Sequence, residues 1–241
     1  MKYKNNNNSL LSIIIPCFNE EKTIKKIINK ILKVKNINKQ IIVVNDASTD
    51  RSLDLIKEFR SKIDIVINHH HNLGKGSCIK SAAKKVKGNI VLIQDADLEY
   101  DPGDYKRLIN PIIKKKYKVV YGSRVLNKNR FENLDNFTHW VRIFANYILT
   151  LINNIVNNQN LTDAHTCYKV FDAKVFKRIR LAENDFAFCP EVTTKISNFG
   201  YKIHEISINY NGRSYSEGKK IKFKDGIKAI LTLFKYKFFF R

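Results

Sequence analysis

Ile90-Val91-Leu92-Ile93-Gln94-Asp95-Ala96-Asp97 decides the fold of this chain. Four large apolar residues run without interruption and end in two carboxylates two residues apart. A short continuous apolar run suits a strand covered on both faces, because a half-exposed strand would alternate. Four further runs of this kind fall at residues 11–15, 40–45, 63–68 and 119–122. Between them the apolar period changes to that of a helix. Ile24, Ile27, Ile28, Ile31 and Leu32 mark one face of a predicted helix over residues 21–33. Similar patterns cover residues 50–61, 75–86 and 103–116. Strands and helices alternating at this spacing imply βαβ crossovers. The expected class is α/β: a doubly wound, mostly parallel sheet with helices on both faces.

In such sheets ligands gather at the carboxyl ends of the strands. Four polar clusters fall there: Pro16-Cys17-Phe18-Asn19-Glu20, Asp46-Ala47-Ser48-Thr49-Asp50, Asn72-Leu73-Gly74-Lys75-Gly76 and Asp95-Ala96-Asp97. At the tip of the strand the two carboxylates of the last cluster point the same way, because strand side chains alternate. Negative charge is costly there unless a cation sits between the acids. A divalent metal is the natural candidate. Asn72-Leu73-Gly74-Lys75-Gly76 lacks the spacing of a P-loop and reads as a turn into a helix, with Lys75 near the ligand. His69-His70-His71 offers no second metal site, since consecutive strand residues cannot converge.

The second half is patterned differently. Residues 137–156 read as a mostly apolar helix on which Arg142, Asn146 and Thr150 form a polar stripe. Strands are expected at 167–171 and 202–208, and a helix at 191–198 ended by Gly200. From Arg213 to Arg241 there are nine Lys and Arg against Glu217 and Asp225. Within that segment Ile227, Ile230, Leu231, Phe234 and Phe238 follow helical spacing, an amphipathic pattern suited to an anionic membrane surface.

The 241 residues carry 44 Lys and Arg against 22 Asp and Glu, a net charge of +22 that favours polyanionic partners. No nucleic-acid-binding motif is recognisable, so phosphorylated ligands and anionic lipid are expected rather than nucleic acid. Cys17, Cys78, Cys167 and Cys189 are widely spaced without a CxxC pair, as expected of buried thiols in a reducing compartment. The polar start and Pro16 argue against a leader. No apolar run reaches the roughly 18 residues of a membrane span, so no transmembrane helix is expected.

Taken together, Pro16-Cys17-Phe18-Asn19-Glu20, Asn45-Asp46-Ala47-Ser48-Thr49-Asp50, Asp95-Ala96-Asp97-Leu98-Glu99 and Gly122-Ser123-Arg124 resemble the family 2 glycosyltransferases of the GT-A fold. Thr162-Asp163-Ala164-His165-Thr166-Cys167-Tyr168-Lys169-Val170-Phe171 and Arg213-Ser214-Tyr215-Ser216-Glu217-Gly218-Lys219-Lys220 resemble the dolichyl-phosphate mannose synthase group within it. The resemblance runs from about Ser12 to Lys237. Two departures stand out: Asn45-Asp46-Ala47-Ser48 replaces the usual Asp-Asp-Gly-Ser, and Cys167 stands where glycine is usual.

The resemblance implies a metal-dependent, inverting transferase that moves a hexose from a nucleotide-diphosphate sugar to a polyprenyl phosphate. A glycan or other hydroxyl acceptor is the alternative. Asp95, Asp97 and Glu99 would hold Mg²⁺ or Mn²⁺. Pro16, Phe18, Glu20, Val44, Asp46 and Ala96 would bind the nucleotide. Arg124, Arg213 and Lys219 would bind phosphates, and Arg142 the lipid phosphate. Residues 1–212 would form the catalytic domain, and 213–241 a basic loop and amphipathic helix peripheral to the cytoplasmic face of a membrane.

Overall fold

The computed structural model describes residues 9–127, 137–212 and 223–239. Seven strands form one sheet: β1 (Leu10–Cys17), β2 (Asn38–Asn45), β3 (Ile65–Asn68), β4 (Ile90–Ile93), β5 (Val119–Ser123), β6 (Lys169–Asp172) and β7 (His204–Ser207), in the order β3-β2-β1-β4-β6-β5-β7. The first four are mutually parallel, with Ile13 of β1 opposite Ile41 of β2 and Leu92 of β4. β5 and β7 are a second parallel pair. β6 lies antiparallel to both β4 and β5 and joins the two blocks. The expected mostly parallel sheet is therefore present, with an antiparallel wedge where a fifth parallel neighbour of β4 would have stood.

The helices are α1 (Ile24–Lys33), α2 (Ser52–Lys57), α3 (Lys75–Ala83), α4 (Tyr105–Ile113), α5 (Phe137–Asn157), α6 (Ala173–Arg178), α7 (Phe188–Asn198) and α8 (Phe223–Phe234). Packing rather than capping holds α1. It has no side-chain cap and no acid in its first turn, yet Ile24, Ile27, Ile28 and Ile31 are fully buried. Each such side chain contributes about 1.5–3 kcal/mol, more than the roughly 1 kcal/mol of a good cap. α2 is shorter than the pattern suggested. α6 was not foreseen: it follows β6 without a gap, and Asp172 caps it by accepting the Lys174 N–H at 2.9 Å.

α5 is inverted relative to an ordinary surface helix. Its polar residues Thr150, Asn153 and Asn157 are buried, and Asn157 donates to Asn153 and to Thr194 of α7. Its large apolar residues Phe144, Leu151 and Ile155 stand exposed, Ile155 by 73%. α8 packs against α5 and α7. It turns Ala229, Thr232 and Leu233 inward and leaves Ile227, Leu231 and Phe234 exposed, as is Phe238 in the turn beyond. Lys228 pairs with Asp185, and Lys235 with Glu183 at 2.8 Å. No helix among the described residues is long and apolar enough to cross a membrane.

Candidate active site

A cavity of about 360 Å³ opens at the carboxyl ends of β1, β2 and β4. It is lined by Pro16, Phe18, Glu20, Asp46, Asp95, Ala96, Asp97 and Glu99 from the ends of those strands, and by Arg124, His165, Phe186 and Tyr210 from later in the chain. All four cysteines line it too, each buried and unbridged. Nine of the residues expected at a site thus meet in one place. Val44 does not: it is fully buried in β2, in the core behind the cavity. Arg142 lies on α5 with its side chain outside the described residues, as are Arg213 and Lys219.

Many of the polar residues at the strand ends splice loops together. Asn19 donates its N–H to Ser48 Oγ at 3.0 Å and accepts the Thr49 N–H at 2.8 Å. Glu20 N–H donates to Ser52 Oγ at 2.7 Å. Ala47, standing where the family has glycine, is forced to φ +57°. Asp46 is buried, and its carboxylate accepts the Leu73 and Gly74 N–H groups at 3.0 and 2.8 Å and meets His69 Nδ1 at 2.6 Å. It fixes the turn into α3 as well as lining the cavity. His69 Nε2 meets Ser81 Oγ at 2.9 Å. Asp46, His69 and Cys78 are the one trio of potential metal ligands within 4.8 Å among the described residues. Both His69 nitrogens are engaged in the protein, and burial, with Asp46 adding to it, pushes the Cys78 thiol up. The trio is therefore a structural knot.

The carboxylates after β4 lie in a turn rather than on the strand. β4 ends at Ile93, so the alternation stops before Asp95. Asp97 Oδ1 accepts the Glu99 N–H at 3.1 Å in a turn, and Glu99 accepts the Tyr210 hydroxyl at 3.0 Å. Asp95, Asp97 and Glu99 therefore do not form a close trio. The cation beside Asp95 comes from the protein: Lys75 Nζ lies 2.6 Å from its Oδ1 and 2.9 Å from Cys167 Sγ. Burial alone would lower the Lys75 pKa, but the adjacent Asp95 reverses this and holds it well above the ordinary value. Asp95 and Asp97 still line the cavity with hard oxygen donors of the kind Mg²⁺ and Mn²⁺ accept, so the donor set fits such an ion.

Arg124, which also lines the cavity, is gripped by Asp163. Nε donates to Oδ2 at 2.6 Å, Nη2 to Oδ1 at 2.7 Å, and the backbone N–H to Oδ2 at 3.1 Å. The guanidinium lies 5.2 Å from the centre of the Tyr210 ring. Burial would raise the Asp163 pKa, but Arg124 overrides it and holds the carboxyl below its usual range. Glu205 of β7 holds the loop by accepting the Thr162 and Asp163 N–H groups at 2.6 and 2.9 Å. Arg124 is expected at the site from its sequence, whereas its partner Asp163, inside the motif at residues 162–171, carries no local signal of the pairing. Tyr210 and Phe186 gave no local signal.

A doubly wound sheet with an acidic, ligand-sized cavity at its carboxyl edge is the architecture of a GT-A glycosyltransferase. Residues 12–180 match the model described as glycosyl transferase family 2, and the chain belongs to that family. A dolichyl-phosphate beta-glucosyltransferase of Trichomonas vaginalis is 28% identical over 96% of this chain and 74% of its own. A UDP-N-acetylglucosamine–dolichyl-phosphate N-acetylglucosaminyltransferase of Methanococcus voltae is 26% identical over 93% and 94%. The fold is shared with glucosyl-3-phosphoglycerate synthase of Mycobacterium tuberculosis, crystallised with Mn²⁺, UDP and phosphoglyceric acid. That structure gives a TM-score of 0.70 at 15% identity, covering 95% of this chain and 79% of the other.

Proposed function

We propose that this glycosyltransferase moves a hexose from a nucleotide-diphosphate sugar to a polyprenyl phosphate, at the cytoplasmic face of a membrane to which it binds peripherally. The observation that carries the reading is the inverted α5 beside the site. The loop bearing His165 rests on α5 through the Ala164 N–H to Thr150 Oγ1 contact of 3.4 Å. From there, exposed apolar side chains of α5 and of its neighbour α8 offer a surface for acyl chains. Lys224, Lys228 and Lys235 on the α8 segment would meet anionic headgroups. The relatives' names agree in pointing to a lipid phosphate acceptor.

Asp97, with Asp95, would hold the divalent ion, which when bound supplies positive charge against the donor diphosphate. Pro16 and Phe18 would flank the base, with Glu20 and Asp46 behind them. Arg124, held in place by Asp163, would present its remaining guanidinium edge to phosphate. Arg142, Arg213 and Lys219 would add cationic contacts. A phosphate acceptor is already an oxyanion at neutral pH, so orientation and charge suffice for in-line attack, with inversion at the sugar carbon.

A hydroxyl acceptor would instead need a general base. That second reading is favoured by the solved neighbour crystallised with phosphoglyceric acid. One experiment separates the two: purified protein is offered the common nucleotide sugars with a polyprenyl phosphate, or with soluble oligosaccharide and phosphoglycerate. Lipid-linked product supports the proposal; product only on a soluble hydroxyl overturns it. Asp97→Ala should abolish turnover in either case. Leu231→Glu with Phe234→Glu should release the protein from anionic vesicles, and unchanged vesicle binding would refute the membrane surface.

A further inference from the structure

The segment from Thr162 to Tyr168 is pinned on every side. Glu205 accepts its first two N–H groups. The Cys167 N–H donates to the Tyr100 hydroxyl at 3.0 Å. Lys169, fully buried on β6, donates to the Ala164 and Thr166 carbonyls at 3.0 and 2.7 Å, with its ammonium 4.0 Å from the centre of the Tyr121 ring. A loop so thoroughly bonded nonetheless carries two side chains with an unmet group, Thr166 Oγ1 and His165 Nε2, and of these His165 lines the cavity. Its Nε2 is shut off from bulk water without a hydrogen-bond partner. A buried polar atom left unpaired costs about 1–3 kcal/mol, and a guest that bonds it removes that cost.

The chemistry of the guest follows from the imidazole. Burial first, then the positive charge of Lys169, lowers its pKa to about 4, so the ring is neutral at physiological pH. A neutral imidazole donates from one nitrogen and accepts at the other. It is poorly matched to a phosphate, for which the cavity already has Lys75 and Arg124. A hydroxyl group matches it. His165 comes from the loop before β6, which lies on the far side of β4 from β1 and β2, whose ends carry Pro16, Phe18 and Asp46, assigned above to the nucleotide.

We propose that His165 is a specificity-determining residue that hydrogen-bonds a hydroxyl of the sugar carried by the nucleotide donor. The inference rests on the reading that the cavity takes a nucleotide sugar. Its test compares ligands that differ only in the sugar. Calorimetric titration with UDP, GDP, UDP-glucose and GDP-mannose, in the presence of Mn²⁺, is run on wild type, H165L, H165N and H165Q. In H165L and H165N the nucleoside diphosphate that wild type binds should keep its Kd within about twofold. The matching nucleotide sugar should bind about tenfold more weakly, a difference of about 1.4 kcal/mol. H165Q, which keeps a donor and an acceptor at longer reach, should recover most of it. One monodeoxy donor should show the same tenfold deficit on wild type and none on H165N. Unchanged nucleotide-sugar affinity in H165L and H165N overturns the proposal, and so does equal weakening of nucleotide and nucleotide sugar. Wild-type protein that binds no nucleotide sugar at all refutes the donor reading itself, and this assignment with it.

Discussion

Replacing Asp163 by Asn should expose how much of the site's order depends on one buried ion pair. Asp163 is 3% and Arg124 19% exposed at the side chain, and three hydrogen bonds join them. Removing one partner of a buried pair costs about 3–5 kcal/mol, because the other charge is left uncompensated. Arg124 keeps some access to water and the Tyr210 ring, so the low end, about 3 kcal/mol, applies. For a chain of this size that corresponds to a fall in Tm of about 6–12 °C. R124M should cost a similar amount, whereas the double variant R124M/D163N should cost much less than their sum, because neither charge remains. Differential scanning calorimetry of the four proteins at pH 7.5 closes the cycle. The sign with pH also follows: a carboxyl held below its ordinary pKa of about 3.9 stabilises the fold above that value. The gap between wild type and D163N should therefore persist down to about pH 4 and close only below it. A Tm loss under about 2 °C for D163N, or strictly additive single effects, would refute the reasoning.

Three further outcomes follow from the geometry. Ala47→Gly should relieve left-handed strain of about 1–2 kcal/mol against about 0.4–1 kcal/mol of added unfolded-chain entropy, raising Tm by about 1–3 °C; a lower Tm would show that Ala47 is unstrained. Lys75→Met removes the ammonium 2.6 Å from Asp95 and should lower Tm by about 4–8 °C, and adding Asp95→Asn should recover more than half in the same melts; no recovery would mean the pair is not coupled. His165, with a folded pKa near 4 against about 6.5 unfolded, contributes stability above pH 6.5 that is lost as pH falls toward 4, by about 3 kcal/mol. Urea melts of H165Q should therefore be flatter than wild type between pH 6.5 and 4.5, and parallel curves would contradict the lowered pKa.

The sequence made the parallel half legible because burial on both faces leaves a local mark: the continuous runs around Ile13, Val43 and Leu92. The exposed face of α8 was legible for a similar reason, since Ile227, Leu231, Phe234 and Phe238 share one helical stripe. β6 was foreseen as a strand but not as an antiparallel wedge, because its partners Leu92 and Val120 lie far away in sequence. Asp95, Asp97 and Glu99 do not form a close trio because β4 ends at Ile93, and the apolar run does not record where a strand gives way to a turn. The pairings of Lys75 with Asp95 and of Arg124 with Asp163 are set by tertiary approach, which no local period records. His165 lies inside a quoted motif, but only its place on the cavity wall distinguishes its unmet nitrogen from the unmet Thr166 hydroxyl beside it.

β6 has a further consequence, for the order in which the molecule can be made. The block β3-β2-β1-β4 and the pair β5-β7 share no strand contact except through it. Until Lys169–Asp172 leaves the ribosome, β4 presents an open apolar edge, and the two halves of the cavity have no common frame. An unpaired edge of this kind invites association with other chains. Pairing it from residues so distant in sequence is slow, because the intervening loop must close first. Closure of the sheet thus depends on four late residues, one of them a lysine destined for full burial, which pair with β4 on one side and β5 on the other.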